Sequence, residues 1–157
     1  MIHNWFICKI RYEKVAENGM NKKVTEPYLV DALSFTEAES RIIEEITPFI
    51  SGEFTVSDIK RANYNELFPS DEESADKWFE CKIYFITLDE KSGAEKKTAA
   101  KMLVQASDLR DAMKKLTEGM KGTMADYNAC SIKETAIMDV YPYNADVKPE
   151  FPEAKQQ

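Results

Sequence analysis

Hydrophobic and polar positions alternate at the start of this chain and again near its middle. Phe6, Cys8, Ile10 and Tyr12 fall on one side of an extended segment, while Trp5, Ile7, Lys9 and Arg11 fall on the other. Phe79, Cys81, Ile83 and Phe85 oppose Trp78, Glu80, Lys82 and Tyr84 in the same way. Both segments predict half-buried strands. Turn signals follow at Asn18-Gly19 and Ser92-Gly93, where glycine supplies the positive φ of a tight hairpin. The return strands alternate again, with Val24, Tyr28, Val30 and Ala32 matching Thr98, Met102, Val104 and Ala106.

A helical period comes next in each half. Thr36 to Glu39 reads as a capping box, Ala38, Ile42, Ile43 and Ile46 make an apolar stripe, and Pro48 closes the helix. In the second half Ser107 is the expected N-cap. Leu109, Ala112, Met113, Leu116 and Met120 form its stripe, and Gly119 or Gly122 its exit. The third segments, Phe54 to Phe68 and Tyr127 to Tyr141, each predict one long or two short strands. A bulge is expected near Ser57-Asp58, because Phe54 and Val56 share a face that Ile59 leaves.

These parallels are one repeat written twice. Trp5-Phe6-Ile7-Cys8-Lys9-Ile10 returns as Trp78-Phe79-Glu80-Cys81-Lys82-Ile83, and both tryptophans of the chain are in the match. A fixed-period self-similarity signals one supersecondary unit used twice. The expected fold is therefore α+β: an internal duplication of a ββαβ unit, with antiparallel sheets each covered by one helix and a pseudo-twofold between copies. Residues 1–143 are expected to form one compact unit. It holds a first repeat over about 4–69, an acidic linker at 70–76 and a second repeat over about 77–142. Residues 144–157 read as a mobile tail.

Composition narrows the functional classes. The 157 residues are 43% hydrophobic and 31% charged, ordinary for a globular domain. No apolar run reaches the roughly 18 residues of a membrane helix, and the N-terminus has no signal-peptide pattern, so a cytoplasmic protein without membrane contact is expected. Cys8, Cys81 and Cys130 lack CxxC spacing and suit reduced, buried thiols. Net charge is −7 and uneven: residues 1–75 hold 8 Lys and Arg against 14 Asp and Glu, the remainder 13 against 14. If the halves share a fold, their surfaces do not share a partner.

Catalytic constellations are missing from the pattern. His3 is the only histidine, which removes Ser/His and Cys/His nucleophilic schemes. There is no glycine-rich phosphate loop, zincin motif or EF-hand loop, so neither an enzyme, a cofactor nor a metal is expected. Met1-Ile2-His3 has the spacing of a planar N-terminal chelate for Cu(II) or Ni(II), a pattern usually incidental. The better lead is aromatic and basic. Trp5, Lys9, Arg11, Trp78, Lys82 and Tyr84 share the strand face away from the helices, and Lys22, Lys23, Lys96 and Lys97 lie near the hairpins. Rings beside cations on an open sheet suit single-stranded nucleic acid, whose bases stack and whose phosphates need neutralising. The same tryptophans suit a contact between the two half-sheets better still, with the lysines as solvated edges. A protein partner is the rival expectation, with Glu37, Glu44 and Glu45 of the acidic first half facing a basic surface.

The runs Asn4-Trp5-Phe6, Val24 to Glu39 and Gly52 to Ala62 resemble a domain-of-unknown-function family of Bacteroides-type bacteria and their phages. The likeness covers nearly the whole chain before its tail. It implies an intracellular bacterial or phage protein and brings no site residues with it.

Overall fold

The computed structural model describes residues 3–143, so the expected tail at 144–157 lies outside the described residues. The repeat appears element for element. Strands β1 (Trp5–Val15) and β2 (Asn21–Asp31) form a hairpin, followed by helix α1 (Phe35–Ile46), a 3-10 turn (Thr47–Phe49), β3 (Phe54–Ala62) and the short β4 (Glu66–Phe68). Then come β5 (Lys77–Leu88), β6 (Glu95–Ala106), α2 (Leu109–Gly119), β7 (Asp126–Glu134) and the two-residue β8 (Val140–Tyr141). The hairpin glycines Gly19 and Gly93 have φ of 80° and 72°, as their turns require.

The chain divides into two units whose limits differ from those of the repeats. One unit holds Met1–Ala62 with the chain from Ile137 onward, and the other holds Asn63–Ala136. The reason is strand exchange. The first sheet has the order β3-β1-β2-β8 and the second β4-β6-β5-β7, so the last strand of each repeat completes the sheet of the other. Both exchanged strands run parallel to their neighbours, β8 to β2 and β4 to β6. The sheets are thus mixed rather than antiparallel throughout. A short strand whose partner lies far along the chain leaves no periodic signal of its own.

Within the first unit, the covered face carries Phe6, Cys8, Ile10, Tyr28, Val30 and Ala32, packed against Ala38, Ile42 and Ile46 of α1. Within the second, Cys81, Ile83, Met102 and Val104 pack with Leu116 and Met120, and Phe79 with Ala106 and Ala112. Each helix therefore covers the strand face that the alternation predicts. The expected stripes were too wide, however. Ile43 is 41%, Leu109 56% and Met113 49% exposed, because a helix flat on a sheet buries little more than its i, i+4 row.

The caps also move. Ser34, not Thr36, is the N-cap of α1: its hydroxyl accepts from the Glu37 amide, while the Glu37 carboxylate accepts from Leu33 N–H at 2.7 Å. Asp108, not Ser107, caps α2, and Asp111 reaches back to Ser107 N–H at 3.0 Å. Both ends are thus variants of a capping box, in which the returning carboxylate takes the amide one residue before the N-cap. The bulge expected near Ser57-Asp58 is present, and the second copy carries one at the equivalent place. Between Lys9 and Ile10 the pairing with β3 skips Ser57, and between Lys82 and Ile83 the pairing with β7 skips Cys130.

Equivalent cations on the helices hold the segments that follow the exchanged strands. Arg41 donates to the carbonyls of Pro142, at 3.0 Å, and of Asp31, and its guanidinium lies over the Tyr143 ring. Lys115 donates to Ser70 Oγ at 2.9 Å and pairs with Glu72 at 2.9 Å and Asp111 at 3.2 Å. The Glu72 carboxylate, with Asp111 behind it, holds the Lys115 ammonium above the usual lysine range. The expected linker at 70–76 is thus fastened onto α2.

Three measurements test this architecture. Ile42→Ala removes fully buried volume and should cost about 2–5 kcal/mol in denaturant unfolding, whereas Met113→Ala should change stability by no more than about 0.5 kcal/mol. Gly119 lies against the Phe68 ring, where an added Cβ would come within 2.8 Å of three ring carbons. Gly119→Ala should therefore lower the melting temperature, overpacking by about 1–3 kcal/mol against the roughly 1 kcal/mol that alanine gains in a helix; a rise would place Phe68 elsewhere. Finally, a fragment of residues 63–136, which contains β4, should give a more cooperative thermal transition than one of 77–142, which lacks it. Equal transitions would count against the exchange.

Candidate functional site

The strand face away from the helix divides into an inner buried part and an outer open part in each unit. In the first unit Trp5 and Leu29 are 5% and 0% exposed. The Trp5 ring stacks on the His3 imidazole at 5.1 Å, and His3 Nδ1 bonds the Asp31 carboxylate, which also accepts from Asn4 N–H at 3.0 Å. Asp31, 6% exposed, is the one charged residue that is buried among the described residues. A planar N-terminal chelate binds metal through Nδ1, the atom that Asp31 occupies here. Met1 and Ile2, the rest of that motif, lie outside the described residues.

In the second unit Trp78 and Leu103 are 4% and 0% exposed. The reading of the tryptophans as an open stacking platform is therefore corrected: a base needs a free ring face, and neither ring offers one. Their burial agrees with the other expectation for these tryptophans, that this strand face is covered.

Farther along the strands the same faces are open. Lys9, Arg11 and Lys82 are exposed and Tyr84 is half-buried, so the structure keeps four of the six expected residues at the surface. Their surroundings differ between the units. Lys9 stands across from Pro27 on β2 and Asp58 on β3, Arg11 from Thr25 and Thr55, and Glu13 from Lys23. The first patch is thus interleaved with acids.

Lys82 instead stands directly across from Lys101 on β6 and from Ser131 on β7, and Tyr84 from Ala99 and Asn128. Lys97 is paired with Ile86 two positions on. The Lys82 ammonium sits 5.5 Å from the Tyr84 ring centre, a cation–π contact. Glu80, the nearest acid on the strand, accepts from the Tyr64 hydroxyl at 2.9 Å and pairs with Lys133 at 3.6 Å. It is committed away from Lys82. Among the described residues no carboxylate pairs with Lys82, Lys97 or Lys101, and Glu95 and Asp126 stand at the patch's outer rim. Sequence reasoning missed Lys101. The signal was the repeat itself, since Lys101 occupies the place of Pro27 and turns a neutral position cationic.

Other groups carry no chemistry of this kind. Burial pushes the Cys8 thiol up to about 12 and the Cys81 thiol up to about 11, so both are packed, inert thiols, whereas Cys130 is exposed. Glu26 accepts from the hydroxyls of Tyr12 at 2.9 Å and Tyr28 at 3.4 Å, and burial together with this carboxylate raises both phenols. Among the described residues no three His, Cys, Asp or Glu side chains converge as a metal site, and no helix is long and apolar enough to cross a membrane.

No curated protein matches the sequence. A family model described as a domain of unknown function does match, over residues 4–143, which takes in both repeats and both exchanged strands. The chain therefore belongs to the DUF4494 family.

Proposed function

We propose that this protein is a non-enzymatic binding module that takes single-stranded nucleic acid on the outer sheet face of its second unit. Lys82, Lys97 and Lys101 neutralise phosphates there and Tyr84 stacks a base. The observation that carries this reading is the cross-strand pair of Lys82 and Lys101. Like charges placed directly opposite on a sheet cost stability, by up to about 1 kcal/mol, and an anion bound between them removes that cost. Lys9 and Arg11 of the original set play a secondary part at most, because acids neighbour them. Trp5 and Trp78 become structural. A cytoplasmic location accords with this reading and belongs to it.

The patch is small on a protein of net charge −7, so binding should be weak and strongly screened by salt. The rival reading, a protein-interaction module of the acidic half, draws on a different surface. Phe35, Ile43 and Phe49 are exposed beside Glu39 and Glu44, while Glu37 serves the helix cap and Glu45 is half-buried.

Titration of labelled DNA and RNA oligonucleotides at low salt, followed by anisotropy, tests the proposal. Three phosphate contacts give a slope near −2 in log K against log salt, from about −0.7 per contact on single strands. Tyr84→Ala should weaken binding by about 1–3 kcal/mol, and Lys101→Ala should flatten the salt slope. Trp78 emission should stay unchanged on binding. No binding by folded protein at low salt would retire the nucleic-acid reading and leave the acidic surface in front.

A further inference from the structure

β7 is the outermost strand of its sheet and pairs on one side with β5 only. A strand in that position presents a row of unpaired amides and carbonyls to an incoming strand. Its flank is apolar as well. Leu109 and Met113 of α2, 56% and 49% exposed, line with Ala129, Cys130 and Ile132 a groove of about 260 Å³. The groove continues past Leu109 and Ile132 into a second hollow of about 290 Å³ beside Phe79 and Glu134.

The corresponding edge of the first unit is guarded. Arg61 lies over the Phe6 ring at 5.1 Å and the Phe35 ring at 5.5 Å, setting a cation on the equivalent apolar strip although Phe35 itself is exposed, and Lys60 is drawn to Asp58 at 3.9 Å. At the places of Arg61 and Glu39 the second repeat has Glu134 and Met113, and its strip stays open.

We infer that β7 is the seam of a symmetric homodimer, in which two copies of this chain pair antiparallel about a twofold axis between Ala129 and Cys130. The sequence of the strand reads as its own complement in that register. Asp126 of one copy meets Lys133 of the other, Tyr127 meets Ile132, Asn128 meets Ser131, and Ala129 meets Cys130. The faces agree because the bulge at Cys130 shifts the alternation. Asp126, Asn128, Ser131 and Lys133 pair with the open-face residues Ile86, Tyr84, Lys82 and Glu80, whereas Tyr127 and Ile132 pair with the helix-side Phe85 and Cys81.

Without the bulge, every one of these pairs would set opposite faces together. A bulge usually discourages edge pairing, but one placed at the axis is carried by both strands equally and displaces neither against the other. Lys133 is 71% exposed and meets Glu80 at 3.6 Å only, so its charge remains open to Asp126 of the second copy. A second copy is the occupant that meets each of these features at once: the unpaired backbone, the apolar flank and the opposite charges at the strand's two ends. The inference does not rest on nucleic-acid binding. It would, however, put Lys82 and Tyr84 of both copies on one continuous sheet face.

Sedimentation equilibrium of the full chain over a concentration series should show association from 18.0 kDa to twice that mass. Asp126→Lys and Lys133→Asp, each made singly, should raise the dimer dissociation constant about tenfold or more, and the double variant should recover it. Circular dichroism confirms that each variant is folded. Mild oxidation should link two copies through Cys130, the exposed cysteine of a chain whose other two are buried, and Cys130→Ser should abolish the link. A monomer at every concentration overturns the inference and leaves the edge to an extended peptide of another protein. A dimer untouched by the single reversals, unrecovered in the double variant or unlinked through Cys130 overturns it too, since its seam would lie elsewhere.

Discussion

The two parallel strand pairs, β8 on β2 and β4 on β6, are what the rest of the structure depends on. Without them β2 and β6 would be sheet edges, and the buried Val30 and Val104 near their C-terminal ends would stand beside unpaired backbone. The exchanged strands are two and three residues long, too short to hold on hydrogen bonds alone. Each is therefore reinforced from both ends. Leu29 N–H reaches Asp139 O at 3.0 Å and Met138 N–H reaches Pro27 O at 2.9 Å, while Asn65 brackets Lys101 through its backbone at 2.7 Å and its side chain at 3.0 Å. Tyr141 stacks on Tyr28, Phe68 fits against Gly119, and Arg41 and Lys115 fasten the chain beyond. Exchange makes each unit dependent on both repeats, so that neither repeat is a domain by itself.

How much of this was legible in the sequence follows the range of the interaction. Alternation at Phe6, Cys8 and Ile10 and at Phe79, Cys81 and Ile83 identified strands and their covered faces, because the period of a strand is local. The bulge at Ser57 was legible for the same reason: it breaks that period. The caps missed by one or two residues, since Ser34 with Glu37 and Thr36 with Glu39 both satisfy the capping-box pattern and tertiary packing decides between them. The short strands at Phe68 and Tyr141 were legible as strands and the burial of Trp5 and Trp78 as the favoured of two readings, but neither the exchange of the strands between repeats nor what covers the tryptophans was. Both depend on which distant segment arrives at a surface, and no local pattern encodes an arrival.

A duplicated chain also contains its own control. Positions that keep one residue type in both repeats are mostly explained by the fold: Trp5 and Trp78, Cys8 and Cys81, Ala38 and Ala112, Ile59 and Ile132 are all buried or packed against a core. Positions that differ are freed from that requirement and show what each unit does with its surface. Pro27 against Lys101 turns a neutral strand face cationic. Glu39 against Met113, with Arg61 against Glu134, replaces a charged, cation-guarded strip by an apolar groove. Even inside the buried face, Asp31 with its His3 and Asn4 contacts is replaced by Gln105, which accepts from Ser70 N–H at 2.9 Å. One unit thus carries an ionic anchor where the other carries a neutral one.

These differences all lie in the open surface and the polar anchors, while the buried frame stays common to both repeats. Net charge does not separate the units: over the described residues the first (3–62 with 137–143) holds 8 Lys and Arg against 11 Asp and Glu, the second (63–136) 11 against 14, so each carries −3 and the contrast between them is local. Dense negative charge keeps a protein soluble and repels nucleic acid, while an anion site and a pairing edge both require charge to be withdrawn or reversed. The asymmetry between the two units therefore resides in the few substituted positions of a common frame, among them Lys101, Met113 and Glu134.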